Sequence, residues 1–391
     1  MSHSDLAEMS VMPWRRYIDV EVYDSHEEDV NGMYEETESS TSSESEVDSD
    51  FDDCDESART PRCPRAVEKL LRDVGSLLDG NDIGSALFGE TALAFMGVPI
   101  IPHCVAFMIP DQQIDQAVQV LREAQYPDCK DLDLFAANPI NFLSQIRCHA
   151  LTGGATRDRP IPDHHFHTDG RFPKDPDDSR NQTRGVFLYR ASKILGPGIP
   201  MPSAQPPLPE NPYYMVTSDA RLYCPLFLDR VMLNCWGPQS TKAYPVKMLH
   251  PARYAENLVY LMVRDIGYSV CNGWKSEFDC MLTYTRLLSA PIQALGVIDV
   301  RLEDLPNGPI ADWIGLYSEG ERNRSAILVQ FAALHRQGKK SGQLGEPLMT
   351  PREEDIVTPE DIEDCLKNME EGKPPSLIRP FEESGWSCQL M

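Results

Sequence analysis

The sequence predicts an α+β protein: an α/β module with a mixed sheet, a mainly helical domain after it, and a disordered acidic tail in front. Three observations predict this. Residues 1–60 hold 19 Asp or Glu against 3 Arg, so −16 of the formal charge of −25 sits there and about −9 is left for the rest. Between residues 64 and 126 a helical apolar period alternates with a short, uninterrupted apolar run. Seven prolines crowd residues 196–212, and beyond them helical patterns dominate.

The acidic balance argues against nucleic acid and anionic membrane surfaces as partners, because both repel a negatively charged chain. No window approaches the ~18 uninterrupted apolar residues of a membrane span, and the first residues lack the apolar run of a signal peptide. The expectation is an intracellular, cytoplasmic protein. Its 11 Cys include no C-x-x-C pair and are read as mostly buried free thiols.

Residues 1–62 form the tail. Within it, "YEETESSTSSESEVDSDFDDCDES" has too few large apolar side chains to offset its ordering entropy. The α/β module spans 63–195. It begins with "PRAVEKLLRDVGSLLDG", where Val67, Leu70, Leu71, Val74, Leu77 and Leu78 recur at helical spacing between Pro64 and a capping Gly80. Gly89 precedes a short helix, "ETALAFMG", and "CVAFMI" (104–109) reads as a buried strand between prolines. A further helix places Ile114, Ala117, Val118 and Leu121 on one face; a strand is one reading of "HHFHT", and a strand is expected over 184–192. The Pro-rich stretch 196–212 is a linker or long surface loop. The helical domain, 213–338, contains "PARYAENLVYLMVRDIG", "KSEFDCMLTYTRLLS" and "IADWIGLY", and then a helix opened by Ser318 and Glu321 in capping-box register. Residues 339–391 are a C-terminal tail with one short helix, capped by Thr358, with Pro359 in its first turn and Gly372 as its stop.

The most informative stretch is "GETALAFMGVPIIPHCVAFMIP" (89–110): a Gly turn opening a helix, then an apolar strand. Nucleotidyltransferases use such a turn to hold phosphates on free N–H groups. Two carboxylates on the next strand, sharing a face because strand side chains alternate, hold their divalent metals. The stretch resembles that family, and more closely the nucleotidyltransferase-like proteins of filamentous fungi, through Gly89, Glu90, Ala92, Leu93, Val98, Pro99, His103 and the strand. The resemblance covers about 45 residues. It implies a nucleotide-facing turn at Gly89, Glu90 and Thr91, and metal carboxylates at the positions held here by Cys104 and Ala106.

Cys104 and Ala106 cannot supply the hard oxygen ligands Mg²⁺ requires, so both are degenerate acid positions. The function expected is that of a non-catalytic, nucleotidyltransferase-like interaction or regulatory protein with an unidentified protein partner and no cofactor. The alternative is a metal-dependent nucleotidyltransferase with carboxylates at unrecognised positions, acting on a small molecule or protein and using Mg²⁺. Asp111 and Asp115 are read as solvated helix residues. "DHHFHTDG" would place His165, His167 and Asp169 on one face of a strand, where they could hold Zn²⁺ or Fe²⁺. Pro160, Pro162 and Gly170 instead favour a polar surface turn, so no metal site is assigned. The ending Cys388-Gln389-Leu390-Met391 fits C-a-a-X and makes Cys388 a candidate for farnesylation, with weak lipid-mediated membrane contact.

Overall fold

The computed structural model describes residues 66–98, 100, 102, 104–129, 160–168, 185–222, 238–284, 305, 307–319, 323–348 and 357–374. All of them fall within one unit, Pro64–Met391. The acidic tail, His103, Asp169, Glu321 and Cys388 lie outside the described residues.

The fold is mixed α/β, built on a six-stranded mixed sheet. In chain order the described elements begin α1 (Ala66–Gly80), β1 (Ala86–Phe88), α2 (Glu90–Phe95), β2 (Val105–Ile109) and α3 (Ile114–Glu123). They continue with β3 (His164–His167), β4 (Gly185–Arg190), α4 (Ala191–Ile194), β5 (Tyr214–Val216) and β6 (Lys247–Leu249). The strands lie in the order β3-β4-β2-β1-β6-β5. β1 runs antiparallel to β2 and parallel to β6, β2 runs parallel to β4, and the outer pairs β3/β4 and β5/β6 are antiparallel.

Local sequence explains most of these elements. α1 buries Val67, Leu70, Leu71, Val74 and Leu78, the stripe that its period marks out. α3 buries Ile114, Ala117, Val118 and Leu121. Every residue of β1 and β2 is buried, which accounts for the unbroken apolar run of β2. The three-residue strands β1, β5 and β6 carry too little pattern to be seen in the sequence, and β5 and β6 lie in the stretch read there as helical. They nevertheless complete the same sheet.

β6 also carries Lys247 into the interior, only 3% exposed. Its ammonium pairs with Asp79 at the end of α1 and donates to the Ala204 carbonyl at 3.1 Å. Asp79 accepts a further hydrogen bond from Tyr244 at 2.8 Å. A buried charge is tolerated only when paired in this way. The same contacts fasten the Pro-rich segment against the sheet.

The remaining helices are α5 (Pro251–Arg264), α6 (Val270–Tyr284), α7 (Pro309–Ser318), α8 (Arg324–Ser341) and α9 (Pro359–Glu370). Trp313 of α7 stacks among Phe278, Tyr317 and Phe331 with ring centroids 5.7, 4.8 and 5.4 Å away. Asn257 of α5 ties back to α4, accepting from Gly196 N at 2.7 Å and donating to Ile194 O at 2.8 Å. Thr358 caps α9 in a reciprocal capping box with Asp361. The capping box expected at Ser318 is corrected: Ser318 ends α7, its hydroxyl donating to Gly315 O, and α8 starts at Arg324 behind Asn323. Among the described residues, no helix is long and apolar enough to cross a membrane.

Candidate functional site

β1 delivers the chain into a turn at Gly89, whose φ of 68° and ψ of −151° suit glycine. A Cβ there would meet nothing within 4 Å, so the backbone angle, not space, calls for glycine. In register, Phe88 stands opposite Ala106, so the start of β2 lies beside the turn. The Thr91 hydroxyl donates to the Cys104 carbonyl at 2.8 Å and ties the two together. Gly89, Glu90, Thr91, Cys104 and Ala106 are therefore neighbours in space.

The turn is enclosed by helices. The Gly89 N–H donates to the Tyr254 hydroxyl at 3.0 Å, and that hydroxyl donates to Glu277 Oε2 at 2.8 Å. Phe88 packs against Tyr254 and Trp274, with ring centroids 5.6 and 5.8 Å away. All six residues of α2 are buried, and so are Cys104, Ala106, Tyr254 and Glu277. Two carboxylates, Glu90 and Glu277, are thus buried at or next to the turn. Glu277 and Tyr254 belong to helices distant in sequence and carry no motif, which is why sequence reasoning missed them.

Asp111 lies at the surface, where its carboxylate accepts from Ser192 N at 3.0 Å and Ser192 Oγ at 2.5 Å in the first turn of α4.

A second cluster forms at β3. "HHFH" is a strand, as its pattern allowed, rather than the polar surface turn favoured by its flanking residues: β4 pairs along its inner side and residues 127–129 along its outer side. Cys129 N donates to His165 O at 3.0 Å and His167 N to Pro127 O at 2.8 Å, with Asp128 bridged antiparallel to Phe166. Side-chain alternation then sorts the residues onto two faces. On one face His164 Nε2 meets Asp128 Oδ1 at 2.6 Å, and Arg122 Nε lies 3.0 Å from Asp128 Oδ2. Burial works to raise the Asp128 carboxyl, but the hydrogen bonds from Arg122 and His164 hold it below its ordinary value.

On the other face Cys129 stands opposite His165, with His167 alongside. The Sγ and one ring nitrogen of each His lie within 4.8 Å of one another. The His165 ring packs edge-on against Phe187, with centroids 4.3 Å apart, and fits because residue 185 is glycine. A Cβ at Gly185 would come within 2.3 Å of His165 Nε2. Burial lowers the His165 imidazole below its ordinary value, opposed by a hydrogen bond with Cys129. Cys129, in "YPDCKD", has no telling spacing to the histidines, so the sequence concealed it.

No family model, no curated protein and no solved structure matches this chain.

Proposed function

We propose that the protein is a non-catalytic, nucleotidyltransferase-like interaction or regulatory protein. The observation that carries this reading is the Gly89 turn. Its N–H, the kind of donor a nucleotidyltransferase offers to phosphate, is taken by the Tyr254 hydroxyl. Beside it, Cys104 and Ala106 replace the metal carboxylates and are packed inside. The work of such a protein lies in binding a protein partner.

The test is a calorimetric titration of the purified protein with ATP, CTP, GTP and UTP in the presence of Mg²⁺. No binding is expected. Micromolar affinity that disappears with EDTA overturns the reading and restores the catalytic alternative. That alternative draws its support from Glu90 and Glu277, two buried carboxylates near the turn. Under it, Glu277→Gln abolishes the Mg²⁺-dependent binding.

A further inference from the structure

The Cys129, His165 and His167 cluster lies on the far side of β4 and β2 from β1 and plays no part in the proposal above. We propose that these three side chains bind a single Zn²⁺ ion.

The backbone builds the arrangement. The antiparallel pairing of 127–129 with β3 sets Cys129 directly across from His165, and the two-residue period of the strand brings His167 to the same face. The donor atoms are therefore gathered by the ladder itself, from segments 36 residues apart in the chain. Ligands of a tetrahedral zinc ion stand about 3.3–3.8 Å from each other, given Zn–N near 2.0 Å and Zn–S near 2.3 Å. The donors already lie within 4.8 Å of one another, so a small adjustment at Cys129 and the half-buried His167 around a fixed His165 ring brings them to that geometry.

The donor set selects the metal. One thiolate and two imidazoles suit a borderline-soft ion, whereas Mg²⁺ and Ca²⁺ prefer oxygen. On binding, the Cys129 thiol loses its proton to solvent and the thiolate takes up a bond to zinc. Three protein ligands leave the fourth tetrahedral position to water. Cys129 and His165 are buried, which holds them in place, while the half-buried His167 opens the cluster to solvent and gives the ion a way in.

The surroundings are shaped for the same end. Phe187 fixes the His165 ring from the neighbouring strand, and Gly185 leaves the gap the ring occupies. The opposite face of β3 is held by Asp128 with His164 and Arg122, so the strand segment that carries Cys129 is anchored independently of the ion.

The experiment uses the full chain, reduced and stripped of metal by a chelator under anaerobic conditions, then titrated with Co²⁺ and afterwards with Zn²⁺. We expect a single equivalent of Co²⁺ to bind with a thiolate-to-metal charge-transfer band and the intense d–d bands of a four-coordinate ion. Zn²⁺ should displace it. Cys129→Ser should remove the charge-transfer band, and His167→Gln, at the rim of the cluster, should weaken Zn²⁺ binding at least about tenfold while leaving the melting temperature of the metal-free protein unchanged. The proposal is overturned by absence of stoichiometric binding, by a cobalt spectrum without the thiolate band, or by unaltered binding in both variants.

Discussion

The Tyr254 hydroxyl accepts a hydrogen bond from the Gly89 N–H at 3.0 Å, joining residues 165 apart in the chain. The same oxygen donates to Glu277 at 2.8 Å, so one phenol holds a left-handed turn and a buried carboxylate at once.

Replacing it tests that linkage. Tyr254→Phe keeps the ring packing but strands the Gly89 N–H and one Glu277 oxygen contact. Loss of about 1–3 kcal/mol is expected, read by urea denaturation with an unchanged slope. A variant as stable as the parent would mean that the turn holds without this bond.

Asp265 anchors the junction of α5 and α6. It is wholly buried, accepts from Arg264 Nε and Nη2 at 2.7 Å each and from Trp274 Nε1 at 2.7 Å, and also from Leu348 N at 3.0 Å. Asp265→Asn should leave the Arg264 guanidinium buried without its counter-charge and lower stability by about 3–5 kcal/mol. Thermal unfolding read by circular dichroism measures it. A loss far below that range would show that solvent reaches Arg264.

His335 of α8 gives a pH signature. The residue is 7% exposed, and its Nδ1 has no hydrogen-bond partner among the described residues. Burial first, then the charges of Lys339 and Arg336, lower its pKa from 6.5 to about 4, opposed by Glu363. The unfolded chain takes up the proton near 6.5 and the folded protein resists until about 4. Stability from this residue is therefore complete above 6.5 and is lost as the pH falls toward 4. Each pH unit in that window is worth about 1.4 kcal/mol, so the full loss is on the order of 3 kcal/mol. In His335→Leu, denaturation midpoints measured from pH 7 down to about 4 should fall less steeply than in the parent. Parallel profiles would remove His335 from the acid response.

By itself the sequence determined the long elements. Helices α1, α2, α3, α5, α6, α7 and α9, the body of α8 though not its start, and the strands β2 and β4 could be read because each repeats its apolar period often enough, or is capped plainly enough, to stand out from its neighbours. It also showed that positions 104 and 106 carry a thiol and a methyl group rather than carboxylates, since side-chain identity needs no fold. The tertiary structure alone decided the rest. Strands of three residues hold no period, so β1, β5 and β6 emerge only from pairing. The covering of Gly89 by Tyr254 and Glu277, and the meeting of Cys129 with His165 and His167, join segments 36 to 188 positions apart. Such contacts are set by hydrogen-bond register and helix packing, which summed local preferences do not encode.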